Sequence, residues 1–341
     1  MAFDIAHVIP DFGDVEGETR AVRESAALFD FSFIARARVS GDGAIAILER
    51  FQPRSVGDMV DGTIRYALRL GTNDVVEADL TLWRLDGRTF EVMSGRRADI
   101  AALAALAGPG AAVVDLSDAS AIFAVQGPHS LDALAPLGDR KHLAAIPYFG
   151  HAEATVAGVT CRVGRLGYTG EKGFEIVADK SDAARLRAAL AQRARPAGFA
   201  AADILRIEAG FILFVNECRL GADPVALGLE RLAPRAVANS PFRLVAFTAQ
   251  PTPIRSPWRP EILYPPARGE IAITSACTSI ALRGRTIGLG FVHTADATPG
   301  TRLRGGAGTF DHVSVDHMPL YDPAKRRPRG PWSPAATRTR P

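Results

Sequence analysis

The strongest constraint on the fold is the run RYALRLGTNDVVEADLTLWRLDGRTFEVM, which occupies residues 65–93. Turn residues interrupt it at Gly71–Asp74 and at Asp86-Gly87, and Asp-Gly between alternating runs is a strong hairpin signal. The run therefore predicts three antiparallel strands. Side chains of a strand alternate between its two faces, so the middle strand has one apolar face and one largely polar face that carries Glu77, Asp79, Thr81 and Trp83.

The remaining patterns mix helices and strands. Apolar spacing predicts helices over 18–29, 98–107, 182–194 and 202–211, and alternation predicts strands in 29–43, in 113–126 and in a hairpin over 156–178. From 234 to 266 there are eight prolines, and short strand-like runs follow. We therefore predict an α+β, multi-domain fold with a catalytic region of two interleaved subdomains over 1–235, a β-rich C-terminal domain over 240–321 and a tail over 322–341.

Composition and charge exclude several classes of protein. The chain has 341 residues, 47% of them apolar, and a net charge of +3, which is ordinary globular usage. The tail alone holds six Lys or Arg and one Asp, so the folded part is slightly acidic and no basic surface for nucleic acid is expected. Being rich in Pro and Arg, the tail is expected to be disordered or loosely attached.

Targeting and redox signals are few. No apolar run approaches the roughly 18 residues of a membrane span, and no signal peptide is visible. The three cysteines are odd in number and far apart. We therefore expect no membrane association and a cytoplasmic location with reduced thiols.

Common catalytic motifs are missing. The sequence has no phosphate-binding GxxxxGK[ST] loop, no GxGxxG after a strand, no HExxH, no CxxC and no GxSxG. His312 and His317 are five residues apart, which places them on opposite faces of a strand, so we predict no metal site. The run GYTGEKG at 167–173 suits a hairpin turn better than an anion site.

An ordered series of motifs resembles the aminomethyltransferase family, the folate-binding T-proteins of glycine cleavage and their demethylase relatives. The most specific part is GYTGEKGFEI at 167–176 followed by ADILRIEAGF at 202–211. Weaker parts are RESAALFDFS, VEADLTLWRL, FAVQGPHS, DPVALGLE and ITSACTS, which occur in the family's order between residues 23 and 279. The resemblance implies a ring-like fold of three domains, a C-terminal barrel-like domain and tetrahydrofolate in the central hole.

The resemblance also implies roles for single residues. Asp79 matches the family's aspartate near the reacting folate nitrogens, and it is the predicted catalytic residue. Tyr66, Tyr168 and Glu175 match folate-binding positions, with Glu175 accepting hydrogen bonds from the pterin. Asp203 and Arg206 match the segment that supports the pterin site, and the resemblance implies that they take part in binding the cofactor. At i,i+3 they are also placed to pair with each other. Without the motifs, each of these residues has an ordinary structural explanation.

The sequence departs from the family at several positions. Ala202 replaces an arginine, Phe33 replaces a histidine, and Val215–Arg219 replaces the family's G-H-E-L-D, so that Asn216 stands at the histidine. Met93, Ser94 and Arg96 lie where the family has V-N-A-A-N. The changes are concentrated on the substrate side, which favours a small apolar or methylated donor in place of the glycine-cleavage substrate.

Three hypotheses follow. The first is an enzyme that moves a methyl or aminomethyl unit from a small-molecule donor to N5 of tetrahydrofolate. The second is a folate-binding protein without transferase activity or a subunit of a larger complex, which Ala202 and Phe33 favour. The third is an interaction protein that keeps only the fold, because fold alone does not fix function. A protein partner is possible under each of them.

Overall fold

The computed structural model describes residues 8–108, 110–250, 257, 259–305 and 310–332. Its helices are α1 (Val15–Glu24), α2 (Ala44–Phe51), α3 (Arg97–Ala104), α4 (Ser130–Leu134), α5 (Arg140–Ala145), α6 (Ala183–Ala191), α7 (Phe199–Glu208) and α8 (Phe214–Glu217). Its strands are β1 (Ala27–Asp30), β2 (Ala35–Ser40), β3 (Ile64–Leu70), β4 (Val76–Asp86), β5 (Thr89–Ser94), β6 (Ala112–Asp115), β7 (Ser120–Gln126), β8 (His151–Val156), β9 (Val159–Gly164), β10 (Gly173–Asp179), β11 (Arg195–Pro196), β12 (Phe242–Ala249), β13 (Glu270–Ser279), β14 (Arg285–His293), β15 (Arg302–Gly305) and β16 (His312–Asp316).

The first sheet has six strands in the order β11-β1-β7-β10-β9-β8. One of its faces packs against α4, α5 and α6 through an apolar core that includes Leu134, Leu143 and Leu186. The predicted hairpin is β9 and β10, which pair antiparallel around the long turn that contains GYTGEKG. Tyr168 lies in this turn, and Glu175 follows it on β10.

The second sheet has five strands in the order β3-β4-β5-β2-β6, and its β3, β4 and β5 are the three antiparallel strands predicted from residues 65–93. Leu80 and Leu82 of β4 belong to the core shared with α2 and α3. Trp83 lies on the opposite face, but it is completely buried, because that face meets the first sheet and not solvent. The core between the two sheets contains Trp83, Phe29 and Phe31.

The C-terminal strands close into a five-stranded barrel in the order β12-β14-β13-β15-β16, with β12 pairing to β16. This confirms the α+β fold class with a β-rich, barrel-like C-terminal domain. Phe247, Ile271 and Val292 are among the residues that fill the barrel interior.

Helix α7 lies at the centre of the molecule, and all ten of its residues are buried. It packs against α1 and against β13 and β14 of the barrel. Its first two amides, those of Phe199 and Ala200, donate to the carbonyls of Ile9 and Pro10 at 2.9 and 2.8 Å, so the N-terminal segment caps the helix. The contact needs glycine at position 198, because an added Cβ would lie 2.4 Å from the Pro10 carbonyl oxygen.

The tail was expected to be disordered or loosely attached, whereas its residues 322–332 pack on the first sheet. The Trp332 ring stacks on Phe174 with centroids 5.0 Å apart, and the Arg165 guanidinium lies over the Trp332 ring. Arg327 pairs with buried Glu171 at 2.9 Å. Composition pointed to disorder, but one tryptophan and two arginines, Arg327 and Arg329, have partners in the folded body. Residues 333–341 lie outside the described part.

Two features are absent from the described residues. No helix there is long and apolar enough to cross a membrane. No group of three or more His, Cys, Asp or Glu side chains in the same residues is arranged to hold a metal ion.

Candidate functional site

A cavity of ≈ 170 Å³ lies between the two sheets, beside the start of α7 and the start of α8. Four of the six predicted site residues line it: Asp79, Tyr66, Tyr168 and Glu175. The barrel residues that the structure describes do not line it, whereas a hole shared by three domains was expected. The other lining residues are mostly apolar and include Phe31, Phe33, Ile34, Met93, Phe149, Leu166, Phe199, Leu213 and Phe214.

Asp79 occupies the polar face of β4 and reaches the cavity from the second sheet. In the antiparallel register Leu68 lies opposite Asp79, and Tyr66 lies opposite Thr81, so Tyr66 is the diagonal neighbour of Asp79. The Tyr66 phenol lies near the Asp79 carboxylate and favours its ionised form. Burial raises the pKa of Asp79 to about 6, and the Tyr66 phenol opposes this rise only in part.

Glu175 reaches the same cavity from the first sheet. Its register partners on the neighbouring strands are Ala124 and Gly164, two small residues that leave the carboxyl group uncovered. Burial alone raises the pKa of Glu175 to about 7. No described residue forms a hydrogen bond or ion pair with it, although a buried carboxyl group ordinarily has such partners. The Glu175 carboxyl group is therefore a hydrogen-bond acceptor without a donor among the described residues.

Tyr168 is held by the protein at its polar end. Its hydroxyl donates to the Ile212 carbonyl at 2.6 Å, and its ring stacks against Phe211 with centroids 6.1 Å apart. Burial raises the pKa of Tyr168 well above 10, so the phenol stays protonated. Tyr168 therefore offers the cavity an aromatic surface rather than a charge.

Asp203 and Arg206 do not line the cavity, so the structure does not support direct cofactor contacts for them. The Arg206 guanidinium pairs with Asp203 at 2.7 Å and with Glu217 of α8 at 2.8 Å. Burial by itself would lower the pKa of Arg206, but the charges of Glu217 and Asp203 raise it overall. Glu217 also accepts a hydrogen bond from Thr274 of the barrel at 2.7 Å. This network ties α7, α8 and the barrel together behind the cavity wall.

A second buried network lies on the other side of α7. Arg23 of α1 pairs with Glu208 of α7 at 2.5 Å and with Glu171 of the β9–β10 turn at 3.0 Å. Ser279 of the barrel donates to Glu208, and the Tyr321 hydroxyl donates to Glu171 at 2.8 Å. The turn that precedes Glu175 is thereby bound directly to α1 and to Tyr321, and through Arg23 to α7.

The departures from the family's motifs fall in different surroundings. Phe33 lines the cavity. Ala202 is completely buried in the core between the sheets, so no cation reaches the cavity from that position. Asn216 is 1% exposed, and neither of its amide atoms has a hydrogen-bond partner among the described residues.

Sequence reasoning missed several residues that shape the cavity. Phe149 lies on a bend and adopts a φ of +60°, a left-handed conformation that is unusual for a bulky residue. Leu213 and Phe214 arrive from the segment after α7. Gly95 lies against Phe214, since a Cβ on Gly95 would approach the Phe214 ring to 2.5 Å. Only the closeness of Phe214 to the motif at 202–211 could have drawn attention to it.

Two sheets, a C-terminal barrel and a cavity with an acid on each sheet make up the architecture that the comparisons with known proteins identify. Residues 8–235 match the family model described as the GCVT N-terminal domain. The chain belongs to this family, and it is a transferase of one-carbon groups.

Relatives with established names cover nearly the whole chain. An aminomethyltransferase of Streptomyces avermitilis is 33% identical over 91% of this chain and 90% of its own length. A probable aminomethyltransferase of Natronomonas pharaonis is 33% identical, with 92% of each chain covered. The crystal structure of the glycine cleavage system aminomethyltransferase T from Bartonella henselae superposes with a TM-score of 0.77 at 26% identity, over 90% of this chain and 89% of that one.

Proposed function

We propose that the protein transfers a methyl or aminomethyl unit from a small amine donor to N5 of tetrahydrofolate, which binds in the cavity between the two sheets. The observation that carries the proposal is the pair of acidic residues that line one cavity from different sheets: Glu175, without a partner among the described residues, and Asp79, beside the Tyr66 phenol. Each has the chemistry that one part of the reaction requires.

Glu175 fits the pterin. A carboxylate with two free oxygens suits the adjacent amino and N–H donors of a pterin edge, and those donors would remove the cost of burying the charge. Tyr168 and Phe31 offer apolar surface for a flat ring. Tetrahydrofolate, when bound, supplies the secondary amine N5 that accepts the carbon unit.

Asp79 fits a role at the reacting carbon. With a pKa of about 6, it is about nine-tenths ionised at pH 7. A carboxylate in a dry cavity attracts a protonated amine and stabilises positive charge that develops during the transfer. The neighbouring Tyr66 phenol favours the ionised carboxylate. The aromatic wall excludes the water that would otherwise capture the carbon unit.

The apolar lining guides the choice of donor. Phe33, Met93 and Phe214 line the cavity with Asp79. A small N-methylated or aminomethyl amine suits this surface, and we propose such a donor. The names of the relatives favour an aminomethyl donor, so donors of both kinds belong in the same assay.

A non-catalytic, folate-binding role is the second candidate, and one observation favours it. Ala202 is completely buried where the family's motif has arginine, so the cavity lacks one cation. Binding of folate with no turnover of any donor would support this role.

Proton release tests the folate site directly. Glu175, with a pKa of about 7, is half protonated at pH 7, and donors from a ligand would ionise it. Titration calorimetry of (6S)-tetrahydrofolate in two buffers of different ionisation enthalpy should therefore show about half a proton released at pH 7. Glu175→Gln should abolish both the release and micromolar binding. Binding that releases no proton would place the ligand away from Glu175.

A further inference from the structure

A second and larger cleft lies beside the cavity. It measures ≈ 450 Å³ and is formed by α6, the end of β1, residues 8–12 and the start of α7. This volume is within the usual range of small-molecule sites. Its lining is mainly apolar and rich in phenylalanine, including Phe12, Phe31, Phe33, Phe123 and Phe199.

The cleft and the cavity share an aromatic wall. Phe31, Phe33 and Phe199 line both of them. The Phe31 and Phe33 rings meet edge to face with centroids 5.8 Å apart, and Phe33 and Phe199 meet in the same way at 6.1 Å. A ligand in the cleft would therefore contact the rings that bound the cavity.

The cleft is preformed. The hydrogen bonds from Phe199 and Ala200 to Ile9 and Pro10 hold residues 8–12 against α7. Glu18 of α1 accepts from the amides of both Phe12 and Gly198, at 2.7 and 2.9 Å. A site that is already ordered loses little conformational entropy when a ligand binds.

Arg187 is the basic residue of this lining. Its guanidinium has no hydrogen-bond or ion-pair partner within the described ranges. Asp30 is the acidic residue of the lining, and its carboxylate accepts a hydrogen bond from the Ser32 amide at 3.0 Å. A guanidinium at the rim of an aromatic cleft matches a flat apolar group that carries an acid.

We infer that this cleft binds a single-ring aromatic carboxylate, with the ring among the phenylalanine side chains and the carboxylate at Arg187, independently of folate. The inference goes beyond the proposed function, because it concerns a second ligand and a second site.

Benzoate and benzamide are matched probes, since they differ in charge and hardly in shape. Titration of the full chain by calorimetry or ligand-observed NMR should show benzoate binding about tenfold more tightly than benzamide. Arg187→Gln should reduce this ratio to near one, whereas Arg193→Gln, at an exposed arginine outside the cleft, should leave it unchanged. Ala188→Trp should fill the cleft and abolish binding of both probes, with Gln192→Trp as the control for an added indole at the end of the same helix.

Tetrahydrofolate binding is measured on every variant and should change less than threefold. If Arg187→Gln and Ala188→Trp weaken tetrahydrofolate binding by tenfold or more, the cleft holds the part of folate that carries its aromatic ring and carboxylates. The inference is then wrong. If neither probe binds the wild-type protein while folate does, it is wrong as well. Probe binding without folate binding would overturn only the proposed function.

Discussion

Replacing Glu175 by Gln should stabilise the protein at alkaline pH while it destroys folate binding. The pKa of Glu175 is raised by burial to about 7 from an ordinary 4.5. A tenfold change in an acid dissociation constant corresponds to about 1.4 kcal/mol, so the ionised carboxylate costs the folded state about 3 kcal/mol once the pH is well above 7. Glutamine keeps the shape and removes that charge.

The sign follows from proton linkage. Because the folded-state pKa is raised, the folded protein binds more protons than the unfolded chain between pH 4.5 and 7, and stability falls as the pH rises through that window. From pH 5 to pH 8 the Glu175 contribution to the free energy of unfolding should fall by about 2.5 kcal/mol. Asp79, with its pKa of about 6, adds a loss of the same sign in both proteins, so it cancels in the comparison.

The assay is urea unfolding of wild type and Glu175→Gln at pH 5 and pH 8, followed by tryptophan fluorescence. From pH 5 to pH 8, the free energy of unfolding of the variant should rise relative to that of wild type by about 2.5 kcal/mol. Glu153→Gln, on partly exposed β8, serves as the control and should show no such rise. If wild type and Glu175→Gln lose the same free energy of unfolding between pH 5 and pH 8, the reasoning is refuted. Ionisation of Glu175 would then not destabilise the folded protein.

Three further perturbations test the other groups. Asp79→Asn should lower kcat by about 10²-fold or more with little change in folate affinity. Steady-state kinetics and calorimetry measure the two quantities, and Glu77→Gln is the control. An equal loss of kcat and folate affinity would make Asp79 a binding residue. Arg206→Ala should cost about 3–5 kcal/mol in urea unfolding, because it leaves buried carboxylates unpaired, and a cost below about 1 kcal/mol would contradict the network. Trp332→Ala should release the tail, so that tryptic cleavage after Arg329 becomes faster; an unchanged cleavage rate would show that the stacking on Phe174 does not hold it.

Much of the fold was predictable because the signals are local. The turn at Asp86-Gly87 and the alternation on either side of it predicted β3, β4 and β5, and the alternation placed Asp79 and Trp83 on one face. Alternation could not tell what that face meets. Trp83 is buried because the first sheet packs there, and that packing joins residues far apart in sequence.

The cavity residues likewise include some that the sequence predicted and some that it did not. The motifs located Asp79, Tyr66, Tyr168 and Glu175, and the structure brings all four to one cavity. They gave no sign of Phe149, whose position depends on a bend with positive φ.

The sequence by itself determined the class of the fold, the family and the four polar or aromatic groups of the cavity, because turn chemistry, side-chain alternation and motif spacing act within short stretches of chain. Only the tertiary structure decided that the Asp203–Arg206 pair is joined through Glu217 to the barrel. It decided that the C-terminal segment is held by Glu171 and Phe174. It also decided the raised pKa values of Asp79 and Glu175. Burial and long-range ion pairing depend on which distant segments meet, and no local pattern records that.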